Sequence, residues 1–198
     1  MRRVVVTGLG IVSSIGTNAE EVLASLKAGR SGITANEQMK EHGFRSQIAG
    51  AVDIDVSEHV DKRTLRFMGP GAAYAHIAMQ QAIADSGLEE SEVVNPRTGL
   101  IAGSGGPSTS ALLSAHQTVL KSGGTKRVGP FAVPKAMCST VSANLSTAFK
   151  IKGINYSITS ACSTSLHCIG NAAEQIMMGK QDVMFAGGGE ELDWTLSC

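Results

Sequence analysis

Residues 156–178 read YSITSACSTSLHCIGNAAEQIMM, and this stretch decides the fold class of the chain. Tyr156 to Thr159 is predicted to be a strand, followed by a turn, Ser160-Ala161-Cys162, that leads straight into a helix. The helix is rich in small residues and is expected to run from Thr164 to Met178, where Gly179 follows. Glycine commonly ends helices. A strand that turns directly into a helix is the building unit of α/β proteins.

The rest of the chain repeats this alternation of strand and helix. Asn18, with Glu20 and Glu21 in the first turn after it, predicts a helix that ends near Gly29. Further helices are predicted at 71–86 and 139–149, and further strands at 3–7, 46–52, 98–102 and 182–186. Strands separated by helices imply an α/β layer with a largely parallel sheet. Ligands of such a sheet bind near the loops at the carboxyl ends of its strands.

The composition is that of a neutral, well-packed globular chain. It has 198 residues, in which 17 Lys and Arg balance 17 Asp and Glu. This balance excludes a wholesale nucleic-acid or polyanion binder. Hydrophobic residues make up 42% and charged residues 17%, which is ample for a buried core. Apolar runs stay far below the ~20 residues of a membrane helix, and no signal-peptide pattern follows Met1-Arg2-Arg3, so we expect a cytoplasmic protein.

The turn at residues 160–162 places the thiol of Cys162 at the start of a helix. The unpaired N–H groups and the positive dipole end of a helix favour a thiolate over a thiol. The same N–H groups could stabilise an oxyanion formed when the sulfur attacks a thioester. Cys162 is therefore a candidate nucleophile, and the alternative is that it is a small buried residue, the usual state of a free cysteine.

The other cysteines and the nearby histidine are expected to be structural. Cys168 lies inside the helix and is interpreted as core packing, and His167 as a satisfied polar residue. Cys138 and Cys198 have no partner signal in the sequence. The cysteines form no CxxC pair and no zinc-ligand spacing, so neither a metal site nor a disulfide framework is expected.

Two glycine-rich stretches match known motifs only in part. Thr7-Gly8-Leu9-Gly10 follows a predicted strand, but Ser13 stands where the dinucleotide-binding motif has its third glycine. A tight strand-to-helix turn is therefore favoured over a nicotinamide site. Residues 102–106 (AGSGG) come close to the G-x-S-x-G nucleophile elbow, but no ordered acid and histidine follow. These glycines are better interpreted as a backbone-lined pocket wall.

Positive charge is concentrated locally. Lys62, Arg63 and Arg66 fall within five residues, and Lys126-Arg127 form a second small basic spot. The residues themselves allow two interpretations, a solvated face or a docking surface for an acidic partner.

Several motifs together resemble one known family. Residues 160–165 (SACSTS), with His167 and Gly170 and then 186–190 (AGGGE), are similar to the active-site region of the β-ketoacyl-[acyl-carrier-protein] synthases. Other motifs of that family follow in the expected order, at 5–16 (VVTGLGIVSSIG), 29–33 (GRSGI), 101–106 (IAGSGG), 128–130 (VGP) and 134–137 (PKAM). The details resemble the synthase I type of bacterial type II fatty-acid synthesis more than synthase II. The resemblance covers essentially all 198 residues.

The resemblance implies a thiolase-like α/β fold, with a mixed, mostly parallel five-stranded sheet and helices on both faces. Residues 1–198 would be the N-terminal half, one of the two halves of the family fold. Similar enzymes form homodimers, in which the strand at Tyr156 to Thr159 would pair with its twin across the two-fold axis. No cofactor is implied, because the substrates are carried on the phosphopantetheine of acyl carrier protein.

Roles for individual residues follow from the same resemblance. Cys162 would take the acyl chain from acyl carrier protein, and the carbanion of decarboxylated malonyl carrier protein would attack it in a Claisen condensation. Three residues would line the acyl pocket, the last two reaching into the second subunit's site: Gly106, Phe131 and Met137. The carrier protein would dock on a basic surface, which favours docking over a solvated face: Arg45, Lys62, Arg63, Arg66 and Lys126.

The sequence departs from the family pattern in one large respect. Family members have a second, similar half with two catalytic histidines, a lysine and a glycine-rich loop that completes the oxyanion hole. None of the five histidines here lies in a matching motif. We therefore expect this chain by itself to accept an acyl group at best, without full condensation. Two alternatives stay open: a non-catalytic fragment that binds carrier protein or dimerises, and a coenzyme A thioester enzyme of the thiolase type.

Overall fold

The computed structural model describes residues 1–197, so Cys198 lies outside the described residues. The helices are α1 (Ala19–Ala28), α2 (Glu37–Glu41), α3 (Lys62–Leu65), α4 (Pro70–Ser86), α5 (Glu90–Val93), α6 (Thr109–Ser122), α7 (Ala132–Ala136), α8 (Thr140–Ala148), α9 (Thr164–Met177) and α10 (Trp194–Ser197). The strands are β1 (Thr34–Ala35), β2 (Ile48–Ala49), β3 (Thr98–Gly103), β4 (Asn155–Tyr156) and β5 (Val183–Gly188). Within these residues no helix is both long and apolar enough to cross a membrane.

The central sheet is parallel and has the strand order β4-β3-β5. All six residues of β3 are buried, as expected of the middle strand of a parallel sheet covered on both faces. Its register with β5 runs from Thr98 opposite Val183 to Gly103 opposite Gly188. The carboxyl ends of β3 and β5 therefore lie side by side, and the loops that follow them meet.

Successive residues of β3 contact helices on opposite faces of the sheet. Leu100 and Ala102 belong to the larger core cluster, to which α4 and α8 also contribute. Ile101 belongs to a second cluster with Cys168 and Ala172 of α9. This alternation follows from the two-residue period of a strand. It confirms the expected α/β architecture with helices on both faces of a parallel sheet.

The helix boundaries follow the capping residues that the sequence indicated. The side chain of Asn18 accepts a hydrogen bond from the Glu21 N–H at the start of α1, and Gly29 ends that helix at φ 63°. Gly87 ends α4 in the same left-handed conformation, at φ 68°. Glycine adopts this conformation without the steric penalty of a Cβ atom.

The expected strand at residues 3–7 is wrong. Residues 4–9 run beside β5, but a cavity of about 260 Å³ lies between them and residues 183–186. Backbone donors of the following residues are taken up by α4 side chains instead. The N–H of Leu9 donates to Asp85 Oδ2 over 2.8 Å, and the N–H of Ile11 donates to Gln81 Oε1 over 2.9 Å.

The expected five-stranded sheet is also wrong in its strand count, because the five strands of residues 1–197 form two sheets of three and two strands. The strand expected at 46–52 is reduced to β2, which pairs antiparallel with β1. Thr34 lies opposite Ala49 in this pair. The small sheet therefore sits apart from the parallel one.

The strand expected at Tyr156 to Thr159 is shorter and begins one residue earlier, as β4. Its pairing with β3 ends at Tyr156, which lies opposite Ile101. At the next residue, the hydroxyl of Ser157 donates to the Ala102 carbonyl over 2.8 Å. In a continued ladder a backbone N–H would donate to this carbonyl. A side-chain hydrogen bond thus replaces the backbone ladder just before the candidate site.

Candidate active site

Cys162 lies in a strained turn between β4 and α9. The turn is a single 3₁₀ turn at Ala161–Ser163, directly before α9, and Ala161 has a φ of 50°. A residue with a Cβ atom pays a steric penalty in this left-handed region. Thr164 stabilises the turn: its Oγ1 accepts from the Ser160 N–H over 2.9 Å and donates to the Ala161 carbonyl over 2.8 Å.

The turn separates two thiols with opposite environments. Cys162 is exposed, whereas Cys168, six residues further along, is fully buried. Burial raises the pKa of the Cys168 thiol, although a hydrogen bond with the Ile158 backbone partly opposes the shift. The expectation that Cys168 is core packing is confirmed, and the alternative that Cys162 is a small buried residue is wrong.

His167 bonds to the turn rather than to the Cys162 sulfur. Its Nδ1 lies 2.7 Å from Ser160 Oγ, and its carbonyl accepts from Asn171 Nδ2 over 3.0 Å. From the first turn of α9, His167 thus stabilises the start of the turn that carries Cys162. This agrees with its interpretation as a satisfied polar residue.

Glycines at the ends of β3 and β5 allow the backbone to pack closely around this turn. A Cβ atom at Gly103 would lie 1.9 Å from the Ile158 carbonyl oxygen, and one at Gly105 would lie 2.9 Å from that of Ala161. A Cβ atom at Gly188 would meet Ser165 Oγ at 2.7 Å. Side chains at these positions would push the turn away, so these glycines form a closely packed backbone wall around the turn.

Two carboxylates follow β5, and the sequence indicated a role for neither: Glu190 fastens this wall, whereas Glu191 binds the start of α6. Glu190 Oε1 accepts from the Ser104 hydroxyl over 2.5 Å and from the Gly105 N–H. Glu191 accepts from the Ser108 hydroxyl over 2.7 Å and from the Ser110 N–H over 3.0 Å. Acidic residues directly after a buried strand were the available signal. Their partners lie more than 80 residues away along the chain.

The same contacts decide against the serine nucleophile elbow considered for residues 102–106. Ser104 is only 8% exposed, and its hydroxyl donates to the Glu190 carboxylate. A hydroxyl committed in this way is part of the wall and is not free to attack a substrate.

Gly106 and Met137 lie near the ends of two segments that a backbone hydrogen bond joins. Gly106 directly follows Gly105, which contacts Ala161, and a Cβ atom at Gly106 would meet nothing within 4 Å. The Ser108 N–H donates to the Ala136 carbonyl over 3.1 Å. This bond ties the end of α7, where half-buried Met137 follows, to the same loop.

Phe131 lies at the opposite end of α7 and contacts the basic cluster. Its ring packs edge-on against Phe67, with ring centroids 4.9 Å apart. The guanidinium carbon of Arg66 lies 5.5 Å from the Phe131 ring centroid, within the range of a cation–π contact. The structure thus places Phe131 against Phe67 and Arg66.

The five basic residues are all exposed. Lys62 and Arg63 lie on α3, and Arg66 follows that helix. Lys126 lies five residues before Phe131, whose ring contacts Arg66. Arg45 lies between α2 and β2, and among the described residues no hydrogen bond, ion pair or ring contact joins it to the other four.

The dinucleotide-like glycines at residues 8 and 10 have a packing role. A Cβ atom at Gly8 would lie 2.3 Å from the Ala82 carbonyl oxygen, and one at Gly10 would lie 1.7 Å from that of Ala78. Both glycines thus let the extended N-terminal segment approach α4. This close approach accounts for the motif without a nucleotide, although the strand expected before it does not form.

The chain is similar to known proteins along its whole length. The chain is 56% identical over 199 aligned residues to 3-oxoacyl-[acyl-carrier-protein] synthase 1 of Escherichia coli (strain K12), covering 100% of this chain and 49% of that protein. A crystal structure of a β-ketoacyl synthase from Burkholderia phymatum STM815 superposes with a TM-score of 0.86 at 31% identity, covering 100% of this chain and 49% of the other. The chain therefore spans about half the length of the relatives that it matches.

A third comparison extends to a more distant ketosynthase. AntDE:AntF, described as a type II PKS acyl-carrier protein in complex with its ketosynthase bound to the hexaketide, superposes with a TM-score of 0.74 at 21% identity. The match covers 97% of this chain and 51% of that one. At this identity the likeness concerns the fold alone.

The family model described as "Beta-ketoacyl synthase, N-terminal domain" matches residues 1–194. This match and the 56% identity to a synthase 1 confirm the resemblance found in the motifs, and the neighbours confirm the ketosynthase, thiolase-like fold. The chain belongs to the β-ketoacyl synthase family.

Proposed function

We propose that the chain is the N-terminal, acyl-accepting half of a 3-oxoacyl-[acyl-carrier-protein] synthase of type II fatty-acid biosynthesis, an acyltransferase. The single observation that carries the proposal is the exposed thiol of Cys162. It lies in the turn before α9, next to Ala161 in its left-handed conformation. The identity to synthase 1 relatives supports the substrate class.

In the proposed reaction, the Cys162 thiolate attacks the carbonyl carbon of an acyl thioester on carrier protein. The bond between the acyl carbon and the phosphopantetheine sulfur breaks, and the carrier leaves with a free thiol. In condensation, malonyl carrier protein loses carbon dioxide, and its carbanion attacks the acyl group on Cys162. The bond to Cys162 then breaks and a 3-oxoacyl carrier protein is released. These steps need no cofactor beyond the phosphopantetheine that carries the substrates.

The acyl chain would lie along the wall that contains Gly106. The open space around Gly106 supports this role. Phe131 and Met137, at the two ends of α7, are proposed to reach into the acyl pocket of the second subunit.

Carrier protein would dock on the exposed basic residues near α3. The contact between Arg66 and Phe131 joins this surface to α7, so the carrier would approach beside the proposed pocket. In the distant neighbour AntDE:AntF, a ketosynthase is likewise in complex with its acyl-carrier protein. The proposed docking residues are Arg45, Lys62, Arg63, Arg66 and Lys126.

A homodimer is proposed to form through β4. This strand is an edge of the central sheet, and both Asn155 and Tyr156 are exposed. An exposed edge presents unpaired backbone groups that a second copy can bind. The pairing would centre on these two residues, because the continuation toward Thr159 leaves the ladder.

We do not expect this chain alone to catalyse condensation. His167 bonds to Ser160, His76 is buried against Phe149, and His42 stacks on Trp194. The two catalytic histidines implied by the family resemblance would come from a second, C-terminal half of the fold.

The substrate class is tested by competition between two carriers. The chain is incubated with equal amounts of an acyl carrier protein and a coenzyme A thioester whose acyl groups differ in mass, and the adduct on Cys162 is identified by mass spectrometry. We expect the acyl group of carrier protein to predominate. Predominance of the coenzyme A acyl group would instead support an enzyme of the thiolase type.

A second candidate function is carrier binding without catalysis, and it is favoured by the partners of the histidines just described. It predicts salt-sensitive binding of carrier protein that is lost in an Arg63→Glu and Arg66→Glu double variant, with no acyl adduct on Cys162. Acylation of Cys162 would exclude it.

A further inference from the structure

We propose that Glu190 is a positioning residue for Cys162. Its carboxylate holds the loop after β3 against Ala161 and thereby fixes the turn that presents the thiol. This inference rests on the proposed role of Cys162 as the acyl acceptor.

Glu190 follows a stretch of backbone that is fixed at the end of the sheet. The Gly189 N–H donates to the Gly103 carbonyl over 3.1 Å, continuing the contact between β3 and β5 past the end of the sheet. Gly189 also packs on the start of α4, where a Cβ atom would lie 2.1 Å from the Gly71 carbonyl oxygen. The backbone before Glu190 is thus held on two sides.

The carboxylate of Glu190 accepts two hydrogen bonds from the loop after β3. The Ser104 hydroxyl and the Gly105 N–H converge on the same oxygen, Oε1. A carboxylate is a stronger acceptor for such a pair than a neutral group. In this way the side chain satisfies the Gly105 amide, and Ser104, at 8% exposed, is nearly out of contact with solvent.

These hydrogen bonds act on the thiol of Cys162 through the contact between Gly105 and Ala161. Gly105 lies against the Ala161 carbonyl, at 2.9 Å from the position of a Cβ atom, and Ala161 has the left-handed φ of 50°. A residue in this conformation persists only where its surroundings hold it. Glu190 restrains one side of the turn through Gly105, and Thr164 restrains the other. Cys162 is the next residue.

Glu191 provides the matched control. It also accepts several hydrogen bonds, but its partners are Ser108 and Ser110 at the start of α6. A carboxylate there interacts favourably with the helix dipole. Loss of Glu191 should weaken the fold locally without acting on the turn of Cys162.

The test measures the alkylation rate of each cysteine by iodoacetamide at neutral pH, using peptide mass spectrometry. Cys138 and Cys168 serve as internal references in the same sample. In E190Q we expect the rate at Cys162 to fall about tenfold, because the reactivity of a thiol depends on the local environment that the turn provides. S104A, which keeps the charge and removes one donor, should give a smaller fall. In E191Q the Cys162 rate should stay unchanged.

A Cys162 rate in E190Q within about twofold of the wild-type rate would overturn the proposal. So would a rise of all three rates together, because a general loosening of the fold exposes buried thiols in parallel. If E190Q does not fold, S104A decides by the same criteria.

Acylation of the wild-type chain separates this inference from the proposed function. A selective fall in Cys162 alkylation in E190Q, with no acylation of wild type, would support positioning and reject the acyl-acceptor role. Acylation of wild type and E190Q at equal rates would do the reverse.

Discussion

Gly105 lies directly against Ala161, with only 2.9 Å between the carbonyl oxygen of Ala161 and the position that a Cβ atom on Gly105 would occupy. This contact joins the loop after β3 to the turn that carries Cys162. It therefore links the parallel sheet to the candidate nucleophile.

The contact predicts that Gly105→Ala is destabilising whereas Gly106→Ala is tolerated. A Cβ atom at residue 105 must displace backbone, and overpacking of this kind costs about 1–3 kcal/mol in the free energy of unfolding. At residue 106 nothing lies within 4 Å of the added atom, so we expect a change below about 0.5 kcal/mol. Urea denaturation of both variants measures the difference, and equal losses of stability would contradict the assigned packing.

We predict that protonation of His76 lowers the free energy of unfolding below pH 6.5, the ordinary pKa of histidine. The side chain is 7% exposed, and burial lowers its pKa, although the charge of Asp61 partly opposes the shift. Because the unfolded chain binds the proton more readily, the free energy of unfolding should decrease as the pH falls through 6.5 and level off below the folded-state pKa.

Thermal melting across this pH range tests the effect of His76. We expect H76Q to have a flatter pH dependence than wild type, whatever its absolute stability. H116Q, at an exposed histidine of α6, should retain the wild-type slope. A slope that H76Q leaves unchanged would assign the pH dependence to other groups.

We predict a second loss of stability at lower pH, caused by protonation of Asp182. Arg97 binds both oxygens of this carboxylate, and Arg2 lies 2.5 Å from Oδ1. These hydrogen bonds hold the pKa of Asp182 well below its ordinary 3.8. The ionised form is favoured in the folded state, so its stabilising contribution is present above pH 3.8 and is lost as the pH falls toward the lower folded-state pKa.

The variant D182N should therefore melt at a lower temperature than wild type at neutral pH, and the difference should shrink in strong acid. Because the group is exposed, added salt should also reduce the difference. Arg97 also donates to the carbonyls of Lys180 and Gly179, so R97A should lose more stability than R2A. If R2A lost more stability than R97A, the hydrogen bonds from Arg97 to the two carbonyls would contribute little.

Exposed apolar side chains on the outer face of α9 are expected to make the chain associate with other copies of itself. Leu166 and Ile169 are 72% and 50% exposed, and Val5, Val6 and Ile169 line the same cavity beside β5. Contiguous apolar surface of this kind favours association with other protein surfaces. We expect the chain by itself to elute from gel filtration as species larger than a dimer.

Charged substitutions test which surface is responsible. The double variant L166K/I169K should increase the smaller species, whereas L120K, at a 69% exposed leucine of α6, should have little effect. A sharp monomer peak with cooperative melting for wild type would contradict the prediction.

The sequence was sufficient for elements whose signals are local. The caps at Asn18 and Gly87 predicted the ends of α1 and α4, and the apolar run around Leu100 predicted β3, because these patterns depend on near neighbours in the chain. The expected strand at residues 3–7 does not form, and the segment just after it is held by Asp85 and Gln81 of α4, 70 or more residues away. Such contacts between distant segments leave no local signal.

The candidate site divides in the same way. Cys162 could be predicted because a strand, a turn and a helix adjoin it in the sequence. The role of Glu190 could not, because its partner Ser104 lies 86 residues away. The left-handed conformation of Ala161 could not be predicted either, since alanine gives no sign of it.

The central claim, that Cys162 accepts an acyl group, is tested most directly by intact-protein mass spectrometry. The chain is incubated with acyl carrier protein loaded with a medium-length acyl group, beside a Cys162→Ser control, after both samples are shown to be folded. We predict a mass increase equal to the acyl group in wild type and none in the control. A folded wild-type chain that gains no mass, or a control that gains the same mass, would contradict the claim.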